Sequence, residues 1–159
     1  NPVTVLDTRK TTPGLRVFEK YAVCCGGGSN HRFGLYDAVM IKDNHIKASG
    51  GISSAVEKIR KALGNKSKVE VETQNLDEVR EALKQKVDII MLDNMSIDSI
   101  YESVKVIDGK AIVEVSGGVN FERLEEISKT GVDFVSIGAL THSAPAVDIS
   151  MNIISSLVE

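Results

Sequence analysis

The sequence reads Asp88-Ile89-Ile90-Met91-Leu92-Asp93-Asn94 and, further on, Ala111-Ile112-Val113-Glu114-Val115-Ser116-Gly117-Gly118. Each segment is a short apolar run that ends in polar residues or glycine, which is typical of a strand buried on both faces. Between the two segments, Ile97, Ile100 and Val104 recur at the spacing of one helix face. Together they predict a β-α-β unit with parallel strands and a right-handed crossover.

The same unit recurs along the chain, because 23 residues separate Asp93 from Ser116 and 22 separate Ser116 from Gly138. The predicted strands cover Val3–Leu6, Ala38–Lys42, Val69–Thr73, Asp88–Leu92, Ala111–Val115 and Phe134–Ile137. The first predicted helix is Leu15–Cys25. A second carries Ile52, Val56, Ile59 and Leu63 on one face and ends at Gly64, and a third, Leu76–Lys86, follows the capping pair Asn75 and Glu78. A fourth carries Ile97 and Val104, and a fifth begins at Phe121 and stops at Gly131. Six units are fewer than the usual eight of a closed barrel. The expected fold is therefore α/β, an incomplete (β/α) barrel of about six parallel strands with outer helices, and it forms one domain over residues 1–159.

The composition of the 159-residue chain suits a globular protein, since 42% of its residues are apolar. No apolar run approaches the length of a membrane span, and no signal peptide precedes the first strand, so we expect a cytoplasmic protein without a membrane partner. Cys24 and Cys25 are adjacent and are the two cysteines of the chain. They cannot form a disulfide framework or a zinc quartet, and we expect buried, reduced thiols.

Charge is distributed unevenly along the chain. Residues 1–47 carry seven lysines and arginines against four acids, whereas the whole chain has a net charge of -3. Aromatic residues make up 4% of the chain and there is no basic stripe, which argues against nucleic acid as a partner. A cationic amino-terminal third instead favours a small, highly anionic substrate.

The stretch from Gly26 to His45 carries the strongest functional signal. Three consecutive glycines give a backbone that can approach a ligand closely, and His31 and Arg32 follow at once. Lys42 ends the next apolar strand, where α/β proteins place their ligands. Each feature alone is compatible with a flexible loop and solvated side chains. Their convergence within twenty residues predicts an anion-binding mouth.

Alternation along the strands predicts which side chains share a face. Glu70 points the same way as Glu72, and the same holds for Met40 with Lys42, Met91 with Asp93, and Glu114 with Ser116. Parallel strands covered by helices have no wet face, so these acids are expected at the barrel interior or its rim. Arg9, Lys10, His31 and Arg32 would lie on adjoining loops, and the glycines after the fifth and sixth strands could form a phosphate cradle.

The chain resembles quinolinate phosphoribosyltransferase (nicotinate-nucleotide pyrophosphorylase, carboxylating). The matching motifs occur in order over the whole chain: Asp7–Arg16, Gly26–Leu35, Ile41–His45, Glu70–Glu72, Leu92–Asn94, Ser116–Gly118 and Ser136–His142. The resemblance implies an enzyme of de novo NAD biosynthesis. It would join quinolinate to 5-phosphoribosyl 1-diphosphate, giving nicotinate mononucleotide, diphosphate and carbon dioxide.

The resemblance also implies an N-terminal α/β domain that this chain lacks. Family members are homodimers or higher homo-oligomers in which that domain, with an arginine, completes the partner's active site. We therefore expect bare apolar surface before Val3 and on the terminal segment that carries Ile149, Met151, Ile153, Ile154 and Leu157.

The resemblance implies a role for each matched residue. The expected quinolinate ligands are Arg9, His31, Arg32 and Lys42, and Lys10 would lie between the two substrates. Glu72 and Asp93 would hold ribose hydroxyls and Mg2+. Backbone donors to the 5-phosphate would come from Ser116, Gly117, Gly118, Ile137, Gly138 and Ala139, while Thr8 and His142 complete the substrate-binding set. The expected catalytic residues are Lys10, Lys42, Glu72 and Asp93.

Two other functions remain open on the sequence alone. The chain could be an isolated barrel fragment of that enzyme without turnover. It could also be a barrel aldolase or isomerase acting on a phosphosugar, with Lys42 as a Schiff-base or acid/base lysine. The additional cations around Lys42 argue against the second alternative.

Overall fold

The computed structural model describes residues 2–64 and 67–153, which form one parallel sheet with helices against it. The strands are β1 (Thr4–Leu6), β2 (Val39–Ile41), β3 (Val69–Thr73), β4 (Ile89–Asp93), β5 (Ile112–Ser116) and β6 (Phe134–Ser136). The helices are α1 (Arg16–Cys25), α2 (Asp43–Ser49), α3 (Ile52–Leu63), α4 (Leu76–Lys84), α5 (Ile97–Ile107), α6 (Phe121–Ser128) and α7 (Ala139–His142).

The sheet has the order β1-β6-β5-β4-β3-β2, and every neighbouring pair is parallel. A closed barrel would pair β1 with β2, but here these two strands form opposite edges of the sheet. Part of the exposed edge of β1 is covered by the chain at Ser29, whose N–H donates to the carbonyl of Val5 at 2.9 Å. The fold is thus the incomplete barrel of six parallel strands that the sequence predicts.

The core lies between the sheet and the helices α3 to α6. Val69, Val71 and Val135 of the strands are at most 2% exposed and pack with Ile52, Val56 and Ile100 of the helices in one apolar cluster. The intervening strand positions Glu70, Glu72 and Glu114 are also buried, but they lie outside this cluster. Because alternate side chains point to opposite faces, the acids occupy the concave face, as predicted.

Two short helices are absent from the sequence prediction. β2 ends at Ile41 and α2 begins at Asp43, where the prediction has only a polar strand end. The Lys42 N–H donates to His45 Nδ1 at 3.0 Å and so starts the helix. α7 follows β6 after only two residues. Both helices are too short for a hydrophobic period to show in the sequence.

The prediction for α1 is wrong in its buried face. Leu15, Phe18 and Ala22 recur at i, i+3 and i+7, which predicts an inward face, yet Leu15 is 46% and Phe18 70% exposed, and Ala22 is exposed as well. The one fully buried residue of α1 is Lys20, at 2% exposure. Cys24 and Cys25 are free thiols as predicted, but they are exposed rather than buried. The reason is that α1 lies beside α7 at the edge of the fold, so little of its surface is covered.

Across the described residues, the longest helix has 12 residues, and none is long and apolar enough to cross a bilayer.

Candidate active site

A cavity of about 780 Å³ lies at the carboxyl ends of the strands. Every residue to which the resemblance assigns a substrate lines this cavity: Thr8, Arg9, Lys10, His31, Arg32, Lys42, Glu72, Asp93, Ser116, Gly117, Gly118, Ile137, Gly138, Ala139 and His142. Strand register explains the convergence, since Asp93 pairs with Ser116 across β4 and β5. The carboxyl ends of parallel strands share one edge, and loops at that edge meet around one opening.

Lys42 and Glu72 form an ion pair at the rim, with 2.6 Å between Nζ and Oε2. The Lys42 side chain is 45% exposed and that of Glu72 10% exposed, so the lysine remains accessible from the cavity. The pair keeps the ammonium in place without removing it from the reach of a ligand.

Arg9 and Arg16 shape the loop after β1. The Arg16 guanidinium donates to the carbonyl of Arg9 at 3.0 Å and to the hydroxyl of Thr11 at 3.0 Å, so it fixes the backbone of the loop. The buried Nε of Arg9 has no hydrogen-bond partner among the residues that the structure describes. A buried donor without an acceptor costs free energy, which an anionic ligand in the cavity could recover.

Arg32 adds a second guanidinium to the same side. It donates to the carbonyl of Ala38 at 3.2 Å, and its other Nη lies 3.3 Å from Met40 Sδ. Burial lowers the pKa of Arg32, and the nearby charge of Arg9 lowers it further. Arginine stays protonated despite such shifts. Two guanidinium groups that repel one another in this way favour an anion between them.

His31 lies over two buried carboxylates at the floor of the cavity. Its Nε2 is 3.5 Å from Glu70 Oε2 and 3.5 Å from Glu114 Oε1. Ser136 donates its hydroxyl proton to Glu114 in a short hydrogen bond. Burial lowers the pKa of His31, but hydrogen bonds and charge attraction from Glu114 and Glu70 outweigh it and raise the pKa to about 9. Burial also raises the pKa of Glu70.

The hydrogen bonds of the His31 ring orient its Nε2 toward the carboxylates. In the neutral ring, Nδ1 accepts the backbone N–H of Arg32 at 2.7 Å and Nε2 carries the hydrogen. The raised pKa values of His31 and Glu70 both favour one additional proton in the group formed by His31, Glu70 and Glu114. With the proton bound, the three groups hold one net negative charge rather than two.

Two glycines bring backbone close to the cavity after β5 and β6. Gly117 has φ of +92°, and a Cβ there would lie 2.2 Å from Asn94 Oδ1. A Cβ at Gly138 would lie 2.9 Å from His142 Nε2. Gly117 also needs the left-handed backbone that favours glycine, whereas a Cβ at Gly138 would displace only the side chain of His142.

The glycines Gly26, Gly27 and Gly28 do not form the anion-binding loop that the sequence predicts. None of them lines the cavity. Gly26 caps α1, Gly27 has φ of +87°, and Gly28 packs so closely that a Cβ would lie 2.8 Å from Val23 Cγ1. Their role is to end α1 and to turn the chain back along β1, which delivers His31 and Arg32 to the cavity.

Sequence reasoning missed several residues around the site. Asn94, Val119 and Ser136 line the cavity, and Asn94 Nδ2 donates to Asp93 Oδ2 at 2.9 Å. Position directly after or at the end of a strand was the available signal for Asn94 and Ser136. Asp7 directly follows β1 and carried the same signal, but its pairing with Lys20 of α1 could not be predicted because it joins a strand end to a helix.

Two groups of side chains have the donors for a metal ion. Glu72 and Asp93 present carboxylate oxygens to the cavity, and such an all-oxygen set suits Mg2+, which keeps several waters and bridges phosphates. His31, Glu70 and Glu114 offer one nitrogen and two oxygens within 4.8 Å of one another. In the second group, the additional proton already neutralises one of the two carboxylate charges that would attract a metal ion.

Comparison with known proteins shows the family. The model for "Quinolinate phosphoribosyl transferase, C-terminal domain" matches residues 1–152. The chain belongs to this family. It is 48% identical over 151 residues to the probable nicotinate-nucleotide pyrophosphorylase [carboxylating] of Bacillus subtilis, covering 95% of this chain and 52% of that protein. The Synechocystis protein of the same name is 51% identical over 156 residues, covering 96% of this chain and 53% of that protein.

Solved structures of family members have the same fold. The nicotinate-nucleotide pyrophosphorylase from Francisella tularensis superposes with a TM-score of 0.88 at 51% identity, covering 93% of this chain and 52% of that one. NadC from Streptococcus pyogenes gives a TM-score of 0.89 at 47% identity, covering 94% and 53%. The chain thus spans about half the length of the relatives that it matches.

Proposed function

We propose that this chain is the catalytic barrel of a nicotinate-nucleotide pyrophosphorylase (carboxylating) in de novo NAD biosynthesis. It would transfer the phosphoribosyl group of 5-phosphoribosyl 1-diphosphate to quinolinate, releasing diphosphate and carbon dioxide. One observation carries the proposal: the residues that the family resemblance assigns to both substrates line a single cavity. The names of the relatives that match it at 48% and 51% identity support the same reaction.

The cationic side of the cavity suits quinolinate. A pyridine dicarboxylate needs several positive charges, and guanidinium groups bind planar carboxylates through two parallel hydrogen bonds. Arg9 has a buried Nε without a partner in the described chain, and Arg32 and Lys42 lie on the same cavity. His31, held over Glu70 and Glu114, would complete this half of the site.

The opposite side suits the phosphorylated ribose. Glu72 and Asp93 would hold the ribose hydroxyls, and the backbone at Gly117, Gly118 and Gly138 would receive the 5-phosphate. The same two carboxylates would hold Mg2+, which when bound neutralises charge on the diphosphate. Lys10, whose carbonyl accepts the Thr141 hydroxyl at 2.8 Å, would reach the leaving diphosphate from the loop after β1.

No side chain is needed as a nucleophile. The pyridine nitrogen attacks the ribose carbon while the diphosphate leaves, so the residues act by positioning and charge stabilisation. Carboxylates beside the ribose stabilise the positive charge that develops on it, and Lys10 and Lys42 stabilise the anionic groups. Cleavage of the bond between the ring carbon and its carboxylate then releases carbon dioxide and leaves an electron pair on that carbon. The neighbouring cationic ring nitrogen stabilises this pair until the carbon takes up a proton.

The aldolase alternative is not favoured. The relatives that match this chain at 48% and 51% identity are named nicotinate-nucleotide pyrophosphorylases, not aldolases.

The proposal extends to a homodimer in the cytoplasm. Exposed apolar side chains on α1 and on the stretch from Val147 to Ile153 support a partner surface, and gel filtration and cell fractionation check both points.

Turnover by the native full-length gene product tests the proposed reaction. With Mg2+, quinolinate and 5-phosphoribosyl 1-diphosphate, we expect nicotinate mononucleotide and diphosphate in equal amounts. Glu72→Gln and Asp93→Asn should each lower kcat by about 10²-fold or more and change the Mg2+ dependence. A wild-type protein that makes no nicotinate mononucleotide contradicts the proposal.

A further inference from the structure

A fully buried ion pair lies beneath the loop that carries His31 and Arg32. Asp7 directly follows β1 and is 0% exposed, and Lys20 on α1 is 2% exposed. Lys20 Nζ lies 2.5 Å from Asp7 Oδ1. Neither residue lines the cavity, so neither can contact a substrate.

Both members of the pair also bind the backbone of the loop. The N–H of His31 donates to Asp7 Oδ1 at 2.9 Å, and Lys20 Nζ donates to the carbonyl of His31 at 2.9 Å. The peptide groups on either side of His31 are thus held by one ion pair. Asn30 adds to it, because its amide nitrogen, turned toward the carboxylate, donates to Asp7 Oδ2 at 2.6 Å and to the Lys20 carbonyl at 2.9 Å.

The residues on either side of Asn30 and His31 are also held by hydrogen bonds. The N–H of Arg32 donates to His31 Nδ1 at 2.7 Å, so the ring of His31 fixes the start of the next residue. On the other side, Ser29 pairs with β1. Ser29, Asn30 and His31 are therefore tied to β1, Asp7 or α1, Arg32 is held through the His31 ring, and the side chains of His31 and Arg32 line the cavity.

Stability alone is a weak reason for such a pair. Replacing a buried ion pair by apolar residues of similar size is often neutral or stabilising, because desolvation offsets the attraction between the charges. The pair does, however, impose one geometry, since a carboxylate with three donors and an ammonium with two acceptors leave the loop little freedom.

We propose that Asp7 and Lys20 are positioning residues that place His31 and Arg32 for the dicarboxylate substrate. The inference rests on the proposed function for the identity of that substrate. It predicts an effect confined to one half of the site, because Asp93 ends β4, Gly117 is bound by Arg123 of α6, and Gly138 is bound by Thr141 of α7.

The test uses the native full-length gene product with the double substitution Asp7→Asn and Lys20→Met, which leaves no uncompensated buried charge. We expect kcat/KM for quinolinate to fall by about 10²-fold, as small misplacements of binding groups do. The KM for 5-phosphoribosyl 1-diphosphate should change little. If the double variant does not fold, Asp7→Asn with Lys20→Gln serves, since it also leaves no buried charge and keeps polar groups at both positions.

Asp133→Asn is the matched control. Asp133 Oδ2 accepts the N–H of Val113 at 2.8 Å, which is the same kind of bond at the opposite end of the sheet. This variant should lower the melting temperature without changing either KM. Equal losses for both substrates in the double variant, or unchanged values for both, would overturn the proposal.

Amide hydrogen exchange gives a readout that does not depend on turnover. The amides of His31 and Arg32 should exchange faster in the double variant, while those of β3 and β4 keep their protection. Unchanged exchange at His31 and Arg32 would refute the positioning role even if the enzyme proved to act on another substrate. A wild type without turnover would refute the proposed function but leave this comparison valid.

Discussion

Lys42 carries a charge that serves the cavity more than the core. Its side chain is half-exposed, and its Nζ lies 2.6 Å from Glu72 Oε2 in an ion pair. Lys42 lies outside the apolar cluster, which includes its neighbour Ile41. Its side chain can therefore be replaced without leaving a cavity in that cluster.

Lys42→Met should abolish most turnover and leave the fold intact. We expect kcat to fall by about 10²-fold or more, as happens when a preorganised charge is lost, while circular dichroism and the melting temperature stay near those of the wild type. Lys47→Met is the control, since Lys47 lies on the surface 3.4 Å from Asp43. Near-normal turnover of Lys42→Met would show that the lysine has another role.

The additional proton that His31 takes up beside Glu70 and Glu114 makes stability depend on pH. Below pH 6.5 both the folded and the unfolded chain hold it, and the stabilisation is complete. Because the pKa of His31 is raised to about 9 in the folded chain, stability falls as the pH rises from 6.5 through 9. The loss should be on the order of 3 kcal/mol.

Urea unfolding at pH 6.5 and above pH 9 measures this loss. Glu114→Gln removes one of the two carboxylates that hold the proton, so the difference between the two pH values should shrink. Glu125→Gln, which breaks an exposed pair with Lys129, should leave it unchanged. Equal free energies of unfolding of the wild type at both pH values would contradict the raised pKa of His31 in the folded chain.

At the scale of elements, the loop between β5 and α6 depends on its glycines. The left-handed φ of Gly117 brings its α-carbon against the amide of Asn94, and that amide also binds Asp93. Arg123 donates to the carbonyls of Gly117 and Met95 and so ties this loop to the one after β4. A change at Gly117 therefore reaches the acidic rim.

Gly117→Ala should weaken binding of the phosphorylated substrate. The left-handed backbone costs any other residue roughly 1 kcal/mol or more, and the new methyl group would push Asn94 away from Asp93. Gly109→Ala is the matched control, because Gly109 has φ of +69° but no neighbour within 4 Å. Both variants should unfold at lower urea, and only Gly117→Ala should raise the KM for 5-phosphoribosyl 1-diphosphate. Equal kinetics in the two variants would contradict this.

The elements also show what the sequence could and could not predict. The bounds of β3 match the prediction and the other strands differ from it by one or two residues, because Val, Ile and Leu runs that end in charged residues have few alternatives. Alternation likewise placed Glu72 and Asp93 at the rim. The orientation of α1 was not predictable, since its Phe18 and Tyr21 look like core residues until the surface opposite them is known.

For the whole molecule, the exposed apolar surface is larger than the sequence predicts. The terminal segment is bare as expected, with Ile149 84%, Met151 89% and Ile153 93% exposed, whereas Ile154 and Leu157 lie outside the described residues. Pro2, the described residue before Val3, is exposed as well. The unexpected part lies on α1 and the loop after it, where the exposed side chains are Val17, Phe18, Tyr21, Leu35 and Tyr36.

This surface predicts that the 159-residue chain alone self-associates or binds a hydrophobic dye, because apolar patches beyond a few hundred Å² mark interaction sites. By resemblance, quinolinate also needs an arginine from outside the chain. Calorimetry should therefore find tighter binding of 5-phosphoribosyl 1-diphosphate than of quinolinate. Replacing Phe18 and Tyr21 by glutamine should reduce dye binding, and Tyr101→Gln on α5 is the control. Tight quinolinate binding by a monomeric chain that binds no dye would contradict both expectations.

The strand order has a consequence for synthesis on the ribosome. Thr4 of β1 pairs with Phe134 of β6, so the first strand to emerge waits for a partner made 130 residues later. The strands β2 to β5 can pair in turn as each leaves the exit tunnel, because each lies next to its successor. At bacterial or eukaryotic elongation rates, the wait lasts on the order of ten seconds. During that time β1 is not yet paired with β6 and α1 is not yet packed against α7. We therefore expect the loop that carries His31 and Arg32, which Asp7 binds, to form last.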